Sequence, residues 1–389
     1  MTTNDLPPDV RDLIARGATL IAPAPATHGE PLDALCAGAL AAPIGAARLR
    51  DLVTPASRVV IVVSDATRDE PRDEMVRALH DELRAVPDAQ ITLVVASGTH
   101  APRDPATVLS DELRARHPVV VHNGHDESAM VDLGTTRAGT RVRVNRVLAE
   151  ADVVVSTGRI RPHYFAGYSG GAKGIFPGCA LAVDARQNHL FKASPDARLG
   201  RLDDNPCRLD LEEAAQLLPG RTYLLNVVAD CDGRYVAARA GHLVAAHRAA
   251  CAVAAPLAEV TGPAADVIVV TDRSPVTSSL YQASKLLPPA GALLRPGGLV
   301  IMVAACEEGI GPLQTVNEGI YQLGVRHHLA AGHRIRLVSS MPDDEARRSY
   351  ATPSPSVAAA LAEAGLDGMA QGVVVLWRAG EVVARRAGA

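Results

Sequence analysis

Three short polar clusters hold residue types able to move protons and bind an acid: Ser64-Asp65-Ala66-Thr67-Arg68, Ser97-Gly98-Thr99-His100, and Ser156-Thr157-Gly158-Arg159-Ile160-Arg161-Pro162-His163. An imidazole titrates near neutrality and suits general acid or base work, so His100 and His163 are candidates for it. Asp65 and Arg68 stand on the first cluster. Taken singly each has a plainer reading: Asp65 could cap a helix, Arg68 could pair with Asp69 or Glu70, and a strand-end histidine could be structural. The densest segment is Pro162–Gly178, where Gly167, Gly170, Gly171, Gly174 and Gly178 surround Lys173, with all three phenylalanines in or just after it. Glycine turns let backbone N–H groups approach an anion. The spacing matches neither G-x-x-x-x-G-K-[ST] nor G-x-G-x-x-G. A structural turn with Lys173 in solvent is the alternative. His189 follows about fifteen residues later and is a candidate metal ligand. His122 and His125 read as a surface loop, and His327, His328 and His333 lack metal-site spacing. Gln282 and Lys285, three apart in a predicted helix with Tyr281, can share a face that suits a carboxylate; an ordinary solvated face is the alternative.

The elements that must position these groups are strands. Arg58–Val63, Gln90–Ala96 and Asp152–Ser156 are β-branched apolar runs, separated by helical stretches at Glu70–Arg84 and Pro105–Arg116. Near-continuous Val/Ile runs alternating with helices predict parallel strands covered on both faces. Each polar cluster follows one of these strands. In an open parallel sheet such loops share the carboxyl edge, where ligands bind. A second block repeats the pattern after Gly262-Pro263, read as a hinge: strands at Asp266–Thr271 and Leu299–Ala304 and a helix at Val276–Leu287. Residues 1–50 read as irregular with short helices. The fold class is α/β with two domains, 1–260 and 261–389, each a mainly parallel sheet flanked by helices, the active site in the cleft between them. The terminal Gly372–Arg386 reads as two strands that can pair with either domain.

The 389 residues suit two domains; 48% are apolar and 21% charged, the composition of a globular protein. A formal charge of −4 without a basic cluster argues against nucleic acid. The sequence shows no basic-then-apolar leader and no run of roughly 18 apolar residues for a membrane span. Six cysteines without C-x-x-C spacing point to a reducing, cytoplasmic setting.

With these residues laid out, the sequence resembles the nickel-dependent lactate racemase family, whose members carry a nickel-pincer nucleotide. The resemblance runs in order through SDATR at 64–68, SGTH at 97–100, RPHYFAGYSGGAKGIFPG at 161–178, NH at 188–189, DNPCRLDLEEAA at 204–215 and LYQASK at 280–285. It implies that Lys173 can be tethered to the cofactor and that His189 completes the nickel coordination. His100 and His163 would be the two acid/base histidines, and Asp65 and Arg68 would lie near cofactor and substrate. Tyr281, Gln282 and Lys285 would meet the substrate, and Ser169, Gly170 and Gly171 the nucleotide phosphate. Family members commonly have Arg after the GTH block, where this chain has Ala101, which leaves room for a substrate other than lactate.

The implied activity is racemisation or epimerisation of a small 2-hydroxy acid by reversible hydride transfer, a histidine accepting the hydroxyl proton and Arg68 and Lys285 holding the carboxylate. The implied partners are that small molecule and the proteins that make and load the cofactor. Two other readings stay open: a zinc-type hydrolase using His100, His163 and His189, and a non-catalytic nucleotide-binding protein of the same fold.

Overall fold

The structure, a computed structural model, describes residues 5–388. They form two compact units, neither a continuous stretch of chain. One comprises Ala26–Phe191 and Arg201–Pro256; the other comprises Lys192–Gly200 and the described parts of Met1–Pro25 and Leu257–Ala389.

The first unit is built on a six-stranded sheet in the order Tyr235–Gly241, Arg221–Ala229, Val153–Ile160, Val59–Ser64, Ile91–Ala96, Val119–Val121. Only the Tyr235–Gly241 edge runs antiparallel. Val59–Val63 are all buried, as are all eight residues of Val153–Ile160, because helices and loops cover both faces. Helix Arg72–Leu83 lays Met75, Val76, Leu79 and Leu83 along one buried stripe against the sheet, the spacing that a 3.6-residue turn requires. The chain steps outward from Val59–Ser64 to Ile91–Ala96 and Val119–Val121, then returns to the opposite side at Val153–Ile160. Strand order therefore reverses between Val59–Ser64 and Val153–Ile160, where α/β sheets bind ligands.

The second unit has its own six-stranded, all-parallel sheet, ordered Thr19–Ile21, Val373–Trp377, Ala265–Thr271, Leu294–Val303, Arg334–Val338, Thr352–Pro353. Helices Pro8–Ala15 and Val357–Glu363 help close its core. The two terminal strands are present: Val373–Trp377 joins this sheet and Val383–Arg386 pairs with Glu259–Gly262. The N-terminal residues belong here because Thr19–Ile21 adds to Val373–Trp377, a pairing hundreds of residues apart that a division at 260 does not contain.

Two expectations are corrected. Gly262 is not a hinge but the end of a strand, and a Cβ there would come within 2.1 Å of Ile21 Cδ1. The chain instead crosses between units at 256–257, within helix Leu243–Ala258. The helix expected over 276–287 is shorter and broken: Leu280–Ala283, a tight turn at Ser284–Leu286, then Leu287–Gly291, whose first turn holds Pro288 and Pro289. Among the described residues no helix is long and apolar enough to cross a membrane.

Candidate active site

Ser64 pairs with Ala96, so the loops that follow start level on the carboxyl edge of the sheet. His100 Nδ1 consequently lies 2.7 Å from Asp65 Oδ2. Burial pushes the Asp65 carboxyl up, but hydrogen bonds from His100 and Thr67 and the nearby charge of Arg68 outweigh it and hold it at about 2. An ionised carboxylate only accepts, so Nδ1 carries a hydrogen and Nε2 is the nitrogen left to exchange a proton. Asp65 Oδ1 also accepts from the Thr67 amide at 3.1 Å and its hydroxyl at 2.5 Å. Arg68 Nη1 donates to the Thr67 hydroxyl oxygen at 3.0 Å rather than to Asp69 or Glu70.

Sequence reasoning missed the groups that hold this loop. Arg72 donates to the carbonyls of Ser64 at 2.7 Å and Asp65 at 2.5 Å, and also to that of Arg68. Glu70 accepts from the Ser64 amide at 2.9 Å and the Arg159 amide at 3.2 Å, bridging the two strands at the reversal. An acidic and a basic residue at a helix start read as ordinary surface charge, and only the fold shows them grasping backbone.

The glycine block covers the same edge. The Gly98 amide donates to the Gly178 carbonyl at 2.9 Å, tying the His100 loop to the end of the block. The residues expected at a phosphate are packed against protein. Ser169 Oγ donates to the Arg159 carbonyl at 2.7 Å and accepts from the Arg161 amide at 2.8 Å. The Gly171 amide donates to Asn226 Oδ1 at 2.8 Å, and with φ at 64° its Cβ would lie 2.7 Å from the His247 ring. Ser169 and Gly171 thus shape the turn, while the Gly170 amide donates to no protein group among the described residues.

Lys173 is not the solvated lysine of the plainer reading. It is half-buried, and its side chain makes no hydrogen bond or ion pair with another described residue. Desolvation, then the charges of Arg68 and Arg208, lower its ammonium to about 7. The chain has only three lysines, at 173, 192 and 285, among 39 Lys and Arg residues. Arginine stays protonated, so a position needing a neutral amine has to be lysine.

His163 ends the first strand of a hairpin in which Pro162–His163 pairs with Gly167–Tyr168. Its ring meets Phe165 edge-on at 4.5 Å, and Phe165 meets His189 edge-on at 5.1 Å, so a single phenylalanine spans the two imidazoles. His189 ends helix Ala182–His189. Its neighbour Asn188 is fully buried and anchors that end through the Cys207 carbonyl at 3.1 Å and Asp210 Oδ2 at 2.8 Å. Among the described residues no three His, Cys, Asp or Glu side chains gather where they could share a metal ion, so His100, His163 and His189 do not form a three-ligand zinc site.

In the other unit, Lys285 Nζ donates to Gln282 Oε1 at 2.5 Å and sits 5.2 Å from the centre of the Tyr281 ring, the shared face that the spacing predicts. His122 corrects the surface-loop reading. It follows strand Val119–Val121 directly, is fully buried, and is 3.0 Å from the Ala180 carbonyl through Nε2; burial lowers it to about 4. The apolar run before it is too short to mark a strand unaided.

Comparison with known proteins decides between the open readings. The lactate racemase N-terminal domain matches residues 15–200. The lactate racemase of Thermoanaerobacterium thermosaccharolyticum is 33% identical over 291 residues, 73% of this chain and 67% of that protein. The lactate racemase of Lactiplantibacillus plantarum is 35% identical over 295 residues, 74% of this chain and 67% of that one. This chain belongs to the lactate racemase family. The lactate racemase apoprotein structure from T. thermosaccharolyticum superposes with a TM-score of 0.85 at 26% identity, covering 94% of each chain. A protein from Thermotoga maritima shares the fold alone, with a TM-score of 0.71 at 18% identity over 93% of this chain and all of that one. Membership makes the chain an isomerase, a racemase, and removes the hydrolase and carrier readings.

Proposed function

We propose that this member of the lactate racemase family inverts a small 2-hydroxy acid by reversible hydride transfer with a nickel-pincer nucleotide. One observation carries the reading: at the reversal of strand order, Asp65 fixes the His100 ring through Nδ1 at 2.7 Å, and its charge also reaches the desolvated amine of Lys173.

The residues present fit such a group. Lys173, with its ammonium lowered to about 7, suits covalent attachment, because only an uncharged amine is a nucleophile. One imidazole, His189, rather than three, suits a metal that arrives with donor atoms of its own. Arg68 and the Gly170 amide suit an anionic nucleotide. When bound, the group supplies an electron-poor carbon that takes up hydride, which avoids forming a poorly stabilised carbanion next to a carboxylate.

The protein supplies proton handling and orientation. His100 Nε2 accepts the substrate hydroxyl proton, and Asp65 stabilises the imidazolium that results. Arg68 binds the carboxylate, and Tyr281, Gln282 and Lys285 are proposed to bind substrate as well. His163 serves the oxygen when the opposite face reacts. Ala101 removes a cation common in the family, so the preferred acid is expected to differ from lactate. Loading by cofactor-making proteins in the cytoplasm belongs to the same proposal.

The test is protein co-produced with those proteins and assayed against a panel of single-enantiomer 2-hydroxy acids deuterated at the α-carbon. Inversion with deuterium retained, and nickel stoichiometric with the chain, is expected. No inversion of any acid, with nickel content indifferent to His189→Ala, would overturn it.

A further inference from the structure

Helix Pro206–Gln216 supplies none of the proposed acid, base or ligand groups, yet its start grips the His163 hairpin at three carbonyls. Asn205 Nδ2 donates to the Phe165 carbonyl at 2.8 Å. Arg208 Nε donates to the Ala166 carbonyl at 3.0 Å, and its Nη2 to that of Tyr168. The Phe165 carbonyl and the Ala166 amide belong to one peptide, and that amide donates to His163 Nδ1 at 3.2 Å. The sequence Asn205 to Phe165–Ala166 peptide to His163 is therefore a continuous hydrogen-bond relay in which each bond polarises the next.

The relay has a chemical consequence. A backbone N–H can only donate, so His163 Nδ1 bears a lone pair and the neutral ring carries its hydrogen on Nε2. His100 is held the other way, with Nδ1–H against ionised Asp65. Giving His163 a bare Nε2 would put a hydrogen on Nδ1, against the Ala166 amide, and break the relay. Arg208 makes that rearrangement harder. It is fully buried, its charge offset by Glu212 at 4.0 Å and by the two carbonyls, so moving the hairpin would strip a buried cation of its partners. Gly167 adds a steric lock: φ is 75°, and a Cβ there would lie 2.1 Å from the Arg201 carbonyl, which Asn205 Nδ2 also holds at 3.0 Å.

Resting on the function proposed above, we propose that Asn205 and Arg208 are positioning residues that hold His163 as the Nε2–H tautomer through the 165–166 peptide. The two histidines then meet the substrate oxygen as unlike partners at rest: His100 is fixed with its hydrogen on Nδ1, and His163 offers an Nε2–H, the group an imidazole uses to polarise a carbonyl.

Long-range proton–nitrogen NMR spectra of the 15N-labelled, cofactor-free protein test this directly, with His163 assigned by the signals lost in His163→Gln. The expected wild-type spectrum has a pyridine-like Nδ1 and a pyrrole-like Nε2 at His163, and the reverse at His100. Asn205→Ser keeps an oxygen to cap the Arg208 amide, now accepted by Asn205 Oδ1 at 3.1 Å, but loses the donor to Phe165. It should mix the His163 tautomers, leave His100 unchanged, and in loaded enzyme lower kcat roughly tenfold to a hundredfold with little change in KM. Arg208→Lys should retain more of the wild-type pattern than Arg208→Met. A pyrrole-like Nδ1 at wild-type His163, or an Asn205→Ser spectrum identical to wild type, overturns the proposal. The wild-type measurement needs no variant to fold, and because it uses neither cofactor nor substrate, it separates this inference from a failure of the racemase reading, which would show as no inversion with the tautomers intact.

Discussion

Asp65→Asn changes a charge and one hydrogen-bonding group while keeping the shape of the side chain. The wild-type carboxylate accepts from His100 on one oxygen and from the Thr67 amide and hydroxyl on the other, so the NH2 of an asparagine must face a donor whichever way it turns. His100 then loses its fixed tautomer and the countercharge for its imidazolium. A fall in kcat of roughly 10²- to 10⁴-fold with unchanged far-ultraviolet circular dichroism is expected; kcat within a few-fold of wild type would show that Asp65 does not orient the base. Because the Asp65 carboxyl is lowered in the folded protein, its stabilising contribution is present above the unfolded value near 3.9 and is lost as pH falls through about 2, well below the range in which the enzyme would be assayed. Lys173 gives the opposite profile. Its folded value of about 7 lies below the ordinary lysine value of 10.5, so between these the unfolded chain binds a proton that the folded chain does not, and stability rises with pH. Melting curves of cofactor-free protein from pH 7 to 9 should gain stability relative to Lys173→Met, and parallel profiles for the two proteins would refute the lowered amine. Amine labelling followed by mass spectrometry offers a second check, since only three lysines compete. Asp65, His100 and His163 stood out in the sequence because they follow β-branched runs, and Lys173 because it is one of only three lysines and sits among glycines. Glu70 and Arg72 did not, because their work is done on backbone groups that no side-chain pattern reveals.

Helix Pro206–Gln216 shows how an element without chemistry of its own sets the site. Asp210 is buried and accepts from Thr136 Oγ1 at 2.5 Å, Thr140 Oγ1 at 2.8 Å and Asn188 Nδ2 at 2.8 Å. Truncation by Asp210→Ala would leave three buried donors without that acceptor, at about 1–3 kcal/mol each where no water replaces it. A loss of about 3 kcal/mol or more, or a Tm drop of roughly ten degrees, is expected, together with weakened nickel retention because Asn188 fixes the helix end that carries His189. A Tm within two degrees of wild type would show that the anchor matters little. The block around this helix stood out in the sequence only by resemblance: its buried Asp, Asn and Arg look like surface residues until the carbonyls and hydroxyls they bind are in place. The strands were more legible, since Val59–Val63, Leu93–Val95 and Val267–Val270 are uninterrupted apolar runs buried on both faces. Strands Arg221–Ala229 and Tyr235–Gly241 escaped notice. Buried Asn226 breaks the first run, and Arg239 and alternating alanines dilute the second.

At the scale of the whole molecule, what the sequence could not show is that the two units exchange pieces of chain. Local periodicity reports which residues form a strand but not which distant strand it joins, and Thr19–Ile21 pairs with Val373–Trp377 across more than three hundred residues. That pairing makes a strong prediction. The N-terminal segment buries Leu6, Val10 and Leu13 in the core of the unit that holds Tyr281 and Lys285, and Ile21 against Gly262 of the same unit, each at most 8% exposed. Burial of such side chains contributes about 1.5–3 kcal/mol each, so the four together are comparable with the 5–15 kcal/mol that stabilises an ordinary domain. Removing residues 1–25 would also bare the edge of Val373–Trp377, five consecutive buried apolar residues and a ready template for aggregation. Hydrogen exchange followed by mass spectrometry should therefore show lost protection in Ala265–Thr271, Leu294–Val303 and Val373–Trp377. Protection should persist in Val59–Ser64, Ile91–Ala96 and Val153–Ile160, whose core draws nothing from the deleted segment. Uniform loss across both sheets would mean that the units fold only together. Uniform retention would mean that the N-terminal strand is an ornament on a sheet already stable without it, and the assignment of residues 1–25 to that unit would have no energetic content.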